Sequence, residues 1–394
     1  MIVASRPVDE TRKPPDRARL LLFAALVTLA TVYAHHPRRC IDFGVFRTAG
    51  ERFLAGTPLY RAEDGMLPFK YAPAVAVLFA PLALVPRQLG ALLWNIGSVG
   101  MLWIALRRME ALEPGPRRSD ATWATVLLGT PVATVLFYGQ IDLWLLGLLC
   151  LAAAAVTAVD RGGTALGLAT LSKPPAVLAV VFFAVQRRWR ALVLAASVVA
   201  AVWALYFLRL GVPAGVEQVH AWQALVERST VEWVTGPNPQ GLPTVLLDVA
   251  GWLGVEPGPR LLWFAEGVAM LALGTAVLVR RRDVGASFRL TCLAVLLASP
   301  LAWRANFVLA IPSLRVAVQR ARARDRLAMV AVAVAAASTV LTAGVLFDRI
   351  GTERMLAWRP WTLLGLLLLV LDLRRTAPET TEVAVPPASP VPRD

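Results

Sequence analysis

The chain has 394 residues, of which 57% are hydrophobic, and its mean hydropathy is +0.60. Soluble domains run at roughly 45–50% apolar, so these values exclude an ordinary soluble fold. The net charge of +14 is carried by arginines that punctuate apolar runs, which is the pattern of membrane topology and not the continuous basic face of a nucleic-acid binder.

Residues 1–19 read as a polar, basic cytoplasmic tail, and 20–34 as an uncleaved first membrane helix. Further candidate spans are 71–107 as a broken unit, 122–138, 143–159, 164–186 as a broken pair, 191–208, 260–279, 288–302, 305–318, 327–347 and 357–373. That predicts an all-α polytopic membrane protein with about 10–12 crossings of about 20 residues each. Arginines flank both ends, so both termini are expected in the cytoplasm.

Prolines mark the irregular places. Pro73, Pro81 and Pro86 predict a kinked or partly inserted segment over 71–86, and Pro174 and Pro175 break 164–186. Residues 209–259 hold six prolines and read as a long extracytoplasmic loop. The tail 376–394 is Pro-rich and reads as disordered. No internal repeat is visible. Three isolated cysteines, Cys40, Cys150 and Cys292, have neither disulfide nor metal spacing.

Polar side chains gather in the loops expected on the outer side. Asp42 follows the first span. It suits a helix cap, with Phe43, Phe46, Gly50 and Phe53 forming a short interfacial amphipathic helix, or a catalytic carboxylate. Tyr60 and Tyr71 suit an interfacial aromatic belt. Gln140 and Asp142, in "FYGQID", occupy a turn between two apolar runs. Lys173 is one of only three lysines, with Lys13 and Lys70. An ionisable group within a span points to function, here a lipid phosphate, or to snorkelling. Glu266 lies within another span, with no partner evident from the sequence. "ASPLAWRANF" places Trp303, Arg304 and Asn306 between two spans; Arg304 suits either a phosphate or water.

Taken in order, "DFGVFRTAGERFLAGTPLY", "LPFKYAPAVAVLFAPLALVP", "GQIDLWLLGLL", "GLATLSKPPAVL", "NPQGL" and "SPLAWRANFVLAIP" resemble the signature blocks of glycosyltransferase family 87. The resemblance runs from about residue 40 to 315 and implies a GT-C type membrane enzyme that uses a polyprenyl-phosphate sugar. It implies extracytoplasmic transfer of a hexosyl group, mannosyl in the family's best-known members, to a glycolipid or envelope glycan, with no cofactor and no bound metal. Asp42 maps onto the family's catalytic base. Lys173 and Arg304 are the expected donor-phosphate ligands. Tyr60, Tyr71, Gln140, Asp142, Asn238, Gln240, Trp303 and Asn306 are the expected substrate contacts.

The sequence departs from the family pattern at several points. Asp142 stands where the pattern has asparagine, and Arg304-Ala305-Asn306 follows Trp303 where a histidine pair is usual. Two other classes fit the sequence alone. A lipid-sugar transporter would share the broken helices but shows repeated halves more often. An inactive glycolipid-binding relative would explain the missing histidines.

Overall fold

The computed structural model describes residues 17–374 apart from Met66 and 156–161. Most of the basic N-terminal tail and the 376–394 tail therefore lie outside the described residues. Within them the chain is helical, with no strand.

The first half comprises α1 (Arg17–His35), α2 (Ile41–Ala55), α3 (Ala76–Ala83), α4 (Arg87–Leu112), α5 (Arg118–Leu127), α6 (Gly129–Tyr138), α7 (Asp142–Ala154), α8 (Gly162–Ser172) and α9 (Ala179–Val185). The second half comprises α10 (Trp189–Leu210), α11 (Val212–Val234), α12 (Leu242–Trp252), α13 (Pro259–Val279), α14 (Val284–Leu297), α15 (Ile311–Arg322), α16 (Arg326–Leu341), α17 (Arg349–Ala357) and α18 (Pro360–Leu373).

Five helical stretches are long and apolar enough to cross a bilayer: α1, α4, α10, α13 and the α17–α18 stretch Arg349–Leu373. The expected span 122–138 is two helices, α5 and α6, bent by 66° at Leu128. The remaining apolar segments are shorter helices, several continued by 3-10 turns. Such breaks persist at membrane depth because neighbouring helices satisfy the freed backbone groups.

Two prolines decide the 71–86 segment. Pro73 starts a 3-10 turn, and α3 runs only eight residues with Pro81 inside it, too short to cross. The expected loop 209–259 differs more. Most of it is helix, because Pro213 sits in the first turn of α11, where no backbone donor is needed, and no proline follows until Pro237.

Two arginines that lie inside expected spans, Arg289 and Arg315, are buried. Arg289 in α14 donates to Asp372 of α18 at 2.7 Å, and Ser313 of α15 donates to the other Asp372 oxygen at 2.6 Å. Arg315 is 2% exposed and donates to the carbonyls of Met109, Glu113 and Pro116. These bonds tie the ends of α4, α14, α15 and α18 together. Lone charges at such depth are costly, so each is matched.

Candidate active site

α2 holds the first carboxylate. Its buried residues, Phe43, Phe46, Ala49, Gly50 and Phe53, recur at three- and four-residue spacing and form one helical stripe. Phe46 stacks on Phe79 with centroids 4.6 Å apart and meets Tyr71 and Trp94 edge-on. A Cβ on Gly50 would lie 2.6 Å from the Phe79 carbonyl oxygen, so glycine is what lets α2 and α3 approach this closely.

The helix start is fixed independently. Cys40 takes the cap position with φ 52°, and its N–H donates to the Phe137 carbonyl at 2.9 Å. The Asn95 amide donates to Cys40 Sγ at 3.4 Å and to the Leu136 carbonyl at 3.0 Å, joining α4 to both chains. Asp42 therefore stands inside the first turn of α2 and is not the helix cap.

The turn "GQID" carries the second carboxylate. Gly139 ends α6 at φ 71°, and a Cβ there would lie 2.8 Å from Phe43 Cβ. Only glycine fits a left-handed position pressed this closely against the start of α2. The turn so packed delivers Asp142 as the first residue of α7, beside the start of α2.

The double proline does the same for the lysine. A residue before proline is pushed out of the helical region, and Lys173 is extended, with φ −157°. Its ammonium lies 2.7 Å from Asp142 Oδ1; the lysine side chain is 18% exposed and the aspartate side chain wholly buried. Asn306, on the 3-10 turn Arg304–Ala310, donates to the same Oδ1 at 2.6 Å. The Trp303 N–H donates to Asn306 Oδ1 at 2.7 Å, which settles the orientation of that amide.

Asp42 is coupled to this group. Burial pushes its carboxyl up to about 7; the Asp142 charge adds to that rise and the Lys173 charge opposes it. The Tyr71 phenol is also held well above its ordinary value, by burial first and then by Asp142 and Asp42. Asp42, Tyr71, Asp142, Lys173 and Asn306 therefore share one electrostatic environment, drawn from five separate stretches of chain. A carboxyl near 7 beside a buried ion pair suits a general base at neutral pH.

Arg304 borders the cluster. It donates to the Thr342 carbonyl at 2.6 Å and is hydrogen-bonded to the Tyr138 hydroxyl. Trp303 lies over Tyr138 at 5.2 Å. Tyr60 is near Tyr71 but spends its hydroxyl on the Tyr71 carbonyl at 2.7 Å. Gln140 is half-buried at the turn.

Two expected substrate contacts lie on the "NPQGL" segment, which the Gln240 N–H joins to the Ala302 carbonyl just before Trp303. Gln240 is fully buried; its side-chain amide donates to the carbonyls of Pro237 and Leu356, its backbone carbonyl accepts from the Thr362 hydroxyl, and its side-chain oxygen has no partner among the described residues. It fastens the "NPQGL" segment to α17 and α18 and has no free amide donor for a ligand. Asn238, two residues away, is exposed.

Other residues were not singled out by the sequence. Tyr138 precedes "GQID" directly and was legible only as an aromatic at a span end. Trp94 donates to the Gly139 carbonyl at 2.9 Å and stacks on Trp144 at 5.3 Å, so it braces the turn. Lys70 places its ammonium 4.3 Å from the Trp233 ring centroid. Burial brings that ammonium down to about 8, against the opposing pull of Glu232.

The chain is 26% identical over 344 residues to a polyprenol-phosphate-mannose-dependent alpha-(1-2)-phosphatidylinositol pentamannoside mannosyltransferase of Mycolicibacterium smegmatis, covering 77% of this chain and 78% of that protein. It is 31% identical over 201 residues to the protein of the same description in Mycobacterium tuberculosis, covering 47% of this chain and 45% of the other. Among solved structures it is similar to ArnT from Cupriavidus metallidurans bound to undecaprenyl phosphate, at a TM-score of 0.45 and 15% identity, covering 90% of this chain and 76% of that one. Residues 69–302 match the sequence profile of glycosyltransferase family 87. With the match spanning the Tyr71, Asp142 and Lys173 segments and more than half of the chain, this helical membrane protein belongs to glycosyltransferase family 87.

Proposed function

We propose that the protein transfers a hexosyl group, mannosyl by analogy with its relatives, from a polyprenyl-phosphate donor to a hydroxyl of a glycolipid or envelope glycan. The relatives' names supply the donor class and the phosphatidylinositol-mannoside type of acceptor. The reading takes the reaction to be extracytoplasmic; its support is that Asp42 lies at the opposite end of α1 from Arg17 and Arg19, whose charge favours the inner side.

The single observation that carries this reading is Asp42, a half-buried carboxyl held near 7 beside the Asp142–Lys173 pair. As base, Asp42 takes the proton of the acceptor hydroxyl. The hydroxyl oxygen bonds to the anomeric carbon while the bond from that carbon to the phosphate oxygen breaks. The electron pair leaves with the prenyl phosphate, and single displacement inverts the anomeric configuration. Arg304 is the cation for the departing phosphate, since among the described residues no carboxylate pairs with it. Lys173 adds positive charge nearby, already matched in part by Asp142.

The test is incubation of purified protein with polyprenyl-phosphate-mannose and candidate acceptor lipids, read by mass spectrometry. A product heavier by one hexose, with the polyprenyl phosphate released, is expected. If donor persists unchanged across phosphatidylinositol mannosides and lipoglycans, the reading falls.

A further inference from the structure

The Asp142 carboxylate is used on one side only. Oδ1 takes two donors, the Lys173 ammonium at 2.7 Å and the Asn306 amide at 2.6 Å. Oδ2 is equally buried and accepts no hydrogen bond from the described chain. Leaving a buried acceptor unmatched costs on the order of 1–3 kcal/mol, more for a charged group, so such an atom calls for a partner. The two donors on Oδ1 fix the carboxylate plane, and with it the direction in which Oδ2 faces.

Charge decides what that partner is. With Asp42 ionised, the cluster of Asp42, Asp142 and Lys173 sums to one negative charge, which repels a phosphate and suits a hydroxyl donor. Two residues from Asn306 on the same 3-10 turn, Arg304 offers a cation with no carboxylate partner among the described residues. The same short turn therefore supplies a cation at Arg304 and, through Asn306, a bond to Asp142.

We propose that Asp142 Oδ2 accepts a hydrogen bond from a ring hydroxyl of the donor's hexosyl group and is the residue that selects the sugar. It does so while the sugar's phosphate lies toward Arg304. Lys173 then serves as a positioning residue that holds Asp142 and does not itself grip the phosphate. The inference rests on the reading that this site binds a polyprenyl-phosphate hexose. It adds a required feature of the substrate: a neutral sugar with a free hydroxyl at the position facing Asp142.

The test is equilibrium binding of polyprenyl-phosphate-mannose and its 2-, 3-, 4- and 6-deoxy analogues to the purified full-length protein in nanodiscs, beside polyprenyl phosphate without sugar. In the wild type, one deoxy analogue is expected to bind about 10- to 100-fold more weakly than the parent, the scale of a hydrogen bond to a charged group. In Asp142→Asn and Asp142→Ser, that gap is expected to shrink to within about threefold, while sugar-free polyprenyl phosphate binds at least as tightly as to the wild type, because a negative charge beside Lys173 is gone. Thermal unfolding of each variant establishes that it is folded, and the wild-type series stands without either. Equal binding of all analogues to the wild type means that Oδ2 meets only water and overturns the inference, though transfer of mannose still upholds the function. A gap that persists in both variants also overturns it. Failure of every polyprenyl-phosphate ligand to bind would sink the functional reading as well.

Discussion

Lys173 lies 31 positions after Asp142, on the far side of α7 and α8, yet its ammonium meets Asp142 Oδ1 at 2.7 Å. Two sequence breaks make this possible: the glycine turn at 139 starts α7 at Asp142, and Pro174 ends α8 one residue before the lysine. The pair sits within the field of Asp42, so the state of the proposed base depends on residues far from it in sequence.

Asp42→Asn is expected to lower turnover by at least about 10²- to 10⁴-fold, the usual share of a general base. The side chain is near-isosteric, so expression and thermal unfolding should be unchanged. Turnover within tenfold of wild type, measured on purified protein with lipid donor, would remove Asp42 from the reaction.

The pH dependence of kcat/KM should show activity rising through about pH 7 as Asp42 loses its proton, since the base works only when ionised. Asp142 raises the Asp42 value, so Asp142→Asn should move this limb to lower pH. Lys173 lowers it, so Lys173→Gln should move the limb upward. Limbs that do not move, or move the other way, would show that the three groups do not interact. The stability sign follows from the same shift. A carboxyl raised in the folded state stabilises it fully below the unfolded value near 3.8 and ceases to do so as pH climbs through about 7.

Arg304→Ala should raise the donor KM by about tenfold to a hundredfold, with acceptor KM nearly unchanged. Arg304→Lys should recover part of the loss, because a point charge remains but the fork that also holds the Thr342 carbonyl does not. Equal effects on donor and acceptor would place the phosphate elsewhere.

Gly139→Ala tests the turn. A left-handed alanine costs roughly 1–2 kcal/mol, and its Cβ would lie 2.8 Å from Phe43 Cβ. The melting temperature in detergent should fall, and activity at permissive temperature should fall further, because Phe43 is the neighbour of Asp42. A variant as stable and active as wild type would mean the turn does not set the base.

Asp372→Ala should destabilise by about 1–3 kcal/mol, because Arg289 loses one of its two carboxylates while Glu113 remains, and Ser313 loses its acceptor; the additional change Glu113→Gln should enlarge the loss. Thermal unfolding of both variants measures this.

The sequence by itself determined the solvent and the alphabet of the fold. Apolar runs such as 191–208 and 260–279 read as membrane helices, because a single continuous run of that length satisfies its own backbone polar groups in hydrocarbon only as a helix. It also marked the breaks at Pro73 and Pro174, because proline acts locally. Contacts between distant segments were beyond its reach. Asp142 read as a polar turn and Lys173 as a snorkelling or phosphate-binding side chain; only packing across α7 and α8 made them one pair with Asn306. Gln240 read as a ligand contact, but the backbone carbonyls that claim its amide come from α17 and an adjacent bend. Local chemistry is written residue by residue, whereas burial and charge coupling depend on neighbours that only the folded chain brings together.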